Sequence, residues 1–389
     1  MHVKKDDSIM ASELRTDLLL DWPSVYSLER EWNGLIEQSR ANIIFLTWEW
    51  FNAWATLSDR SIKPFVIVVR DARGALVGLA PFYLARYRLL KILPVRTLRI
   101  MADYATGAEC LDWIAVRGSE TQVCHRIAQA MKAASRRWDC MWMPHVPAWG
   151  GASQRIRTTC LAQDFFCRQR SIEFGYVELP ETFGHFLKTL SANRRSELRR
   201  QHKNLANSHG VTITRCREEA DLGRYLDALF DLNHRRWRSR GQDGTFIRKP
   251  GEALFYRKFL PVALKKGWLR LYGLEVDGAF KAVQIGYVYN GVFYQMQEGF
   301  DPDFIQGAGN VLRARTIEDC ISEGLKGYDF LAGMSEHKRR WASTPRMGHH
   351  LFVGNRNWKN RLLFFKEVWP TGRYLRPCLL PSANAALPE

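Results

Sequence analysis

The sequence predicts a mixed α/β protein, two α/β domains of related topology in tandem. Residues 267–331 read strand, Asp-Gly turn, strand, Asn-Gly turn, strand, glycine-rich loop, helix, strand. Two such turns between β-rich runs are strong hairpin signals. A meander followed by strand–loop–helix–strand makes the last two strands parallel neighbours, joined by a right-handed crossover helix. The first half repeats the order of meander, helix and strand without repeating any residue motif, which points to a second copy of the topology.

Each element has its own justification. Ser24 to about Ser39 places Leu28, Trp32, Leu35 and Ile36 on one helical side, after a loose tail to about residue 16. A second helix covers Trp48 to Leu57. The segments 65–86, 95–101 and 110–116 form strands, Glu120–Arg137 a helix, and 138–146 a further strand. The second half opens near Glu173 with a helical region over 182–210, Ser191 serving as N-cap and Gly210 as stop. A strand at 211–216 and helices at 221–240 and 249–266 follow. Then come strands Gly267–Val276, Ala279–Tyr289 and Val292–Gly299, a helix from about Asn310 to Glu323, and strands Gly327–Gly333 and 350–354. The expected domains are 17–172, 173–355, and a basic aromatic tail over 356–389 that could also lie on an anionic membrane surface.

The 389 residues suffice for two or three domains, and 46% hydrophobic with 25% charged residues fits a packed core. The net charge of +17 favours anionic partners, unless it serves solubility alone. The eight cysteines form no CxxC pair and no Cys/His cluster of zinc-finger spacing, so reduced thiols, no metal site and a cytoplasmic location are expected. No run approaches ~18 apolar residues and the first residues lack an apolar signal core, so the chain is expected to be soluble and at most membrane-peripheral.

The segments LSANRRSELRRQHKNL, NHRRWRSRGQDG, YQMQEGFDP, QGAGNVL and GYDFLAG…HKRRW, spanning 189–341, resemble the bacterial GNAT acetyltransferases of the cellulose-biosynthesis (CelD/BcsL) type, related to the tandem-GNAT FemABX transferases. The resemblance implies two GNAT-like (acyl-CoA N-acyltransferase) domains, the first degenerate. It further implies acyl transfer from acetyl-CoA or another acyl-CoA to an amine or hydroxyl of a small, saccharide or peptide acceptor, on an envelope or polysaccharide-related molecule. Phe304 stands where familiar GNAT loops have Arg or Gln, and His337 precedes Lys338 where Tyr is common. A FemABX-like use of aminoacyl-tRNA and a non-catalytic binding role are the rivals.

Acyl transfer needs a held donor, a deprotonated acceptor and N–H groups for the oxyanion. Gln306, Gly307, Ala308, Gly309 and Asn310, at a helix N-terminus after a strand, suit a pyrophosphate. The alternative is a plain turn. Parting strands would expose Met296 and Gln297 to the thioester. A two-residue turn pairs Tyr289 with Val292, Tyr287 with Tyr294, Ile285 with Met296 and Val283 with Glu298. Glu298 on that otherwise apolar face is the expected base, its pKa raised by burial; ion pairing is the alternative. Asp329 is the second candidate, with Lys338 as a structural partner. Tyr328 or Tyr294 could protonate the leaving thiolate, or pack in the core. Gln284, Gln295 and Gln297 share the opposite face and suit an acceptor or solvent. Trp237 and Arg195 are candidate acceptor contacts, against a core tryptophan and a solvated helix.

Overall fold

The computed structural model describes residues 14–57, 62–89, 93–207, 210–365 and 375–377. The first half runs β1 (Arg15–Leu19), α1 (Trp22–Tyr26), α2 (Glu29–Glu37), α3 (Trp48–Leu57), β2 (Lys63–Arg70), β3 (Leu76–Leu89), β4 (Leu93–Ile100), β5 (Ile114–Ala115), α4 (Glu120–Ala133), β6 (Cys140–Pro147), α5 (Ser153–Ala162) and β7 (Phe166–Glu178). The second runs α6 (Phe183–Thr189), α7 (Ala192–Ala206), β8 (Val211–Arg215), α8 (Leu222–Arg238), α9 (Thr245–Arg248), α10 (Pro250–Lys265), β9 (Leu269–Val276), β10 (Ala279–Tyr289), β11 (Val292–Phe300), α11 (Ala308–Ser322), β12 (Gly327–Ala332), α12 (Glu336–Arg339) and β13 (Thr344–Gly354). Helix α13 (Trp358–Phe365) and β14 (Leu375–Pro377) follow.

The described strands join one sheet in the order β1-β2-β3-β4-β6-β13-β7-β12-β11-β10-β9-β8, with β5 and β14 each pairing with β3. Each half is an antiparallel meander joined in parallel to the strand after its crossover helix: β4 to β6, and β11 to β12. The turns at Asp277-Gly278 and Asn290-Gly291 have positive φ at both residues, as tight hairpins demand. The halves exchange their closing strands. β7 pairs with β12, and β13 returns to lie between β6 and β7. The expected boundary at 172/173 falls inside β7.

One core continues across both halves. Trp50 of α3 packs against Phe255 and Phe259 of α10, each ring centroid 4.7 Å away, and lies 5.6 Å from Tyr287. Phe45 meets Tyr294 edge-on at 5.5 Å.

Several expectations are corrected. The chain is already strand at Arg15. The helix expected over 24–39 breaks into α1 and α2. Only Ile114 and Ala115 of 110–116 are strand. The helical region 182–210 splits at Leu190-Ser191 and ends at Ala206, although Ser191 does cap α7, accepting from the Arg194 N–H at 3.2 Å. The interior of the tail, residues 366–374 and 378–389, and the side chains from Leu362 onward lie outside the described residues, and the membrane contact read there with them.

Candidate active site

The register of β10 and β11 starts as expected: Tyr289 opposes Val292 and Tyr287 opposes Tyr294. It then slips at a bulge. Gly286 opposes Gln295, Ile285 opposes Gln297, and Gln284 opposes Glu298. Met296 has no cross-strand partner. One extra residue reverses which face each later side chain takes. Glu298 is therefore not opposite Val283, and its surroundings are polar instead of apolar.

At the same point β11 leaves β12. The strands pair only over Val292–Tyr294 and Gly327–Asp329. The wedge beyond holds two kinds of side chain.

On the α11 side lies a polar network. Gln284 Nε2 donates to Tyr328 Oη at 2.7 Å, and Tyr328 Oη donates to Gln295 Oε1 at 2.7 Å. Glu298 is ion-paired with Arg313, from α11, and with Arg236, from the end of α8, at 2.9 Å. Arg313 Nη1 lies 2.7 Å from His337 Nε2. Burial lowers the Arg313 pKa to about 10. Burial and then the arginines push His337 down to about 3, so it is neutral. Arg194, 2% exposed, donates to Asn310 Oδ1 at 3.1 Å and stacks over Trp341 at 4.4 Å. Arg340 pairs with Glu197, which also accepts from Arg194 at 3.0 Å. Four guanidiniums thus share two carboxylates, and the Nε groups of Arg194, Arg236 and Arg313 are buried with no hydrogen-bond partner among the described residues. Such a cluster is poised for an anion.

The glycine loop stands where the sequence places it. Gly307, at φ 98°, is the left-handed residue before α11. Its approach is covered, because a Cβ there would meet Gln201 Cδ of α7 at 2.2 Å. Asn310 Nδ2 donates to that Gln201 side chain at 3.2 Å. Ala308 is buried and Gln306 exposed. The helix end is therefore met by protein side chains of α7.

On the opposite side the wedge opens into a cavity of about 280 Å³ between the halves. Its walls include Gln295, Met296, Gln297, Glu298, Lys338 and the end of β12, but also Gly107 and Glu109 of the first half and Lys249 and Glu252 at the start of α10. The Glu109 carboxylate accepts from the Ala332 N–H at 2.5 Å, and burial raises its pKa to about 7. His145 Nδ1 stands 3.6 Å from Glu109, and burial lowers that imidazole to about 4. Asp329 is buried and accepts from the Leu331 N–H at 2.7 Å; burial raises it to about 7. Lys338 is not its ion-pair partner. The ammonium donates instead to the carbonyls of Phe330, Leu331 and Ala332, at 2.7, 3.2 and 2.7 Å.

The wedge thus brings together Glu298, Gln284, Gln295, Gln297, Met296, Tyr328 and Lys338. Tyr294 is buried against Phe45. Arg195 and Trp237 do not line the cavity: Arg195 donates to Leu190 O at 2.5 Å, and Trp237 sits half-buried near Arg240 and Arg248. Sequence reasoning missed Glu109, Glu252, Lys249 and Arg313. Glu109 lies in an irregular loop (ADYATGAEC), and no spacing ties it to residues two hundred positions away.

In the first half the equivalent helix end is closed by its own chain. Gly118 N–H donates to Glu120 Oε2 at 2.9 Å, and Glu120 pairs with Arg40 at 3.4 Å. An internal carboxylate occupies that position.

Residues 192–339 match the family model described as "Acetyltransferase (GNAT) domain". No curated protein matches the chain. Among solved structures the chain is similar to FemX, with a TM-score of 0.58 at 10% identity, covering 87% of this chain and 98% of that one. It is also similar to L-PGS from Bacillus licheniformis, TM-score 0.50 at 13% identity, covering 87% and 96%. A third is the C-terminal domain of a putative lysylphosphatidylglycerol synthetase from Agrobacterium fabrum, TM-score 0.51 at 11% identity, covering 88% and 95%. At these identities the likeness is one of fold. The chain is a mixed α/β protein whose two halves share one topology, and residues 192–339 match the acetyltransferase (GNAT) domain model.

Proposed function

We propose that the chain transfers an acyl group directly from an acyl-CoA to an amine or hydroxyl acceptor at the parted ends of β11 and β12. The observation that carries this is the arrangement of Glu109. A carboxyl titrating near neutrality faces unladdered backbone across a small cavity, and basic side chains gather behind the wedge. In this reading Glu109, not Glu298, takes the acceptor's proton. The acceptor attacks the thioester carbon, and N–H groups around the Met296 bulge meet the oxyanion. The C–S bond breaks and the thiolate leaves towards the α11 side. Arg194, Arg236, Arg313 and Arg340 hold the donor's phosphates there, since Gln201 covers the glycine loop. Glu298 keeps the arginines in place. Polysaccharide or envelope molecules are the acceptor class drawn from the sequence resemblance.

The Gln201 contact favours a second reading. An aminoacyl-tRNA also brings phosphate and an activated ester, and it has no need of a pyrophosphate cradle; FemX shares the fold. Calorimetric titration with acetyl-CoA, free coenzyme A and aminoacyl-tRNA separates the two. Micromolar coenzyme A binding, weakened at least tenfold in Arg340→Ala, supports the first. Binding of aminoacyl-tRNA alone overturns it in favour of the second.

A further inference from the structure

A larger cavity lies away from the parted strands. It is a groove of about 1000 Å³ on the other side of α7, between that helix, α11 and the sheet-edge strand β8. Its floor is apolar, with Leu198, Leu205, Ile213 and Val311 among its residues. Its rim carries Arg195, Arg199 and His202. Arg315, also at the rim, is neutralised by Glu318 and Asp319, at 3.4 and 3.0 Å. Arg195 and Arg199 form no ion pair with any carboxylate among the described residues, and neither do Arg200 and Lys203 beside them on α7. Of that helix's basic residues, Arg194 alone is paired, and it points the other way, towards Asn310.

Apolar floor and unneutralised cationic rim select an amphiphile with an anionic head. A soluble polyanion would leave the floor wet, and a neutral lipid would leave the arginines unmet. The volume lies at the upper end of the roughly 300–1,000 Å³ usual for pockets that enclose small molecules, which suits an extended chain. We infer that this groove binds an anionic phospholipid, one acyl chain lying along α11 and β8 and the phosphate headgroup meeting Arg195 and Arg199. The inference is independent of the donor used at the parted strands. It places membrane contact on the second half instead of on the C-terminal tail.

The test uses the full chain and vesicles containing phosphatidylglycerol with a diazirine in one acyl chain. After irradiation, mass spectrometry should find the label on peptides of α7, β8 and α11. Arg199→Glu should weaken labelling about tenfold by removing headgroup attraction. Ala314→Trp, which fills the groove without changing charge, should abolish it there; circular dichroism checks that both variants fold. Label confined to other peptides, equal labelling by a phosphatidylcholine analogue, or protection by free coenzyme A would each overturn the inference. The last result would make the groove part of the donor site.

Discussion

Glu109 and Glu298 illustrate how a carboxylate's neighbours decide its work. Glu298 is fixed between two guanidiniums, and losing it leaves the buried Arg313 without a carboxylate. Glu298→Gln should therefore destabilise the protein by about 3–5 kcal/mol, measured by denaturant unfolding. Glu109 has one backbone donor and a neutral imidazole beside it. Glu109→Gln should lower turnover by about 10²–10⁴-fold with donor affinity unchanged, and should remove an ascending limb near pH 7 from the pH–rate profile. Stability carries a sign of its own. Burial raises Glu109 and Asp329 above their unfolded values, so the folded state holds extra protons. Their contribution is complete below the ordinary carboxylate range of about 4 and is lost as pH rises through about 7. Glu109→Gln should flatten that slope in thermal melts taken across this window. At this scale the sequence was informative about Glu298 and Gln284, which lie on a recognisable hairpin, and about Tyr328 on the strand after the crossover helix. It was silent about Glu109, whose role exists only because two distant segments meet.

The hairpins were legible because Asp-Gly and Asn-Gly can adopt positive φ cheaply. The bulge was not, since no single residue announces that Met296 will go unpaired. One inserted residue moved Glu298 from an apolar face to a charged one, and the expected role moved with it. Helix α7 behaves similarly. Its cap at Ser191 could be read locally, but its position over α11 depends on long-range packing. That packing makes Gly307 demanding. Gly307→Ala would force a left-handed alanine, costing about 1–2 kcal/mol, and would also displace Gln201. Gly309→Ala would bring its Cβ to 3.3 Å from Phe300, a contact that a small shift can relieve. Chemical unfolding of the pair should show a clear loss for the first and a much smaller one for the second.

Across the whole molecule, the tandem topology followed from element order, whereas the exchange of β7 and β13 did not. The first was read as the start of a new domain, the second as a short final strand. Length and alternation were present in both, but nothing local says which sheet a strand will join. Because each half lends a strand to the other and Trp50 packs on α10, the halves should unfold together. We expect one cooperative transition by calorimetry. Trp50→Ala should lower stability by about 3–5 kcal/mol while keeping that single transition. A fragment beginning at Glu173 cuts β7 and should fail to give a dispersed amide spectrum.

The exchange of strands also sets a timetable for biosynthesis. The strand that fills the gap between β6 and β7 leaves the ribosome only after β12 and every strand before it. Until then the sheet stands open, with unmet edges at β6 and β7. A chain stalled before Thr344 should be cut readily by protease within its first half, and one released after Gly354 should resist. Arrival of β13, not completion of either half, is the event that closes the sheet between β6 and β7.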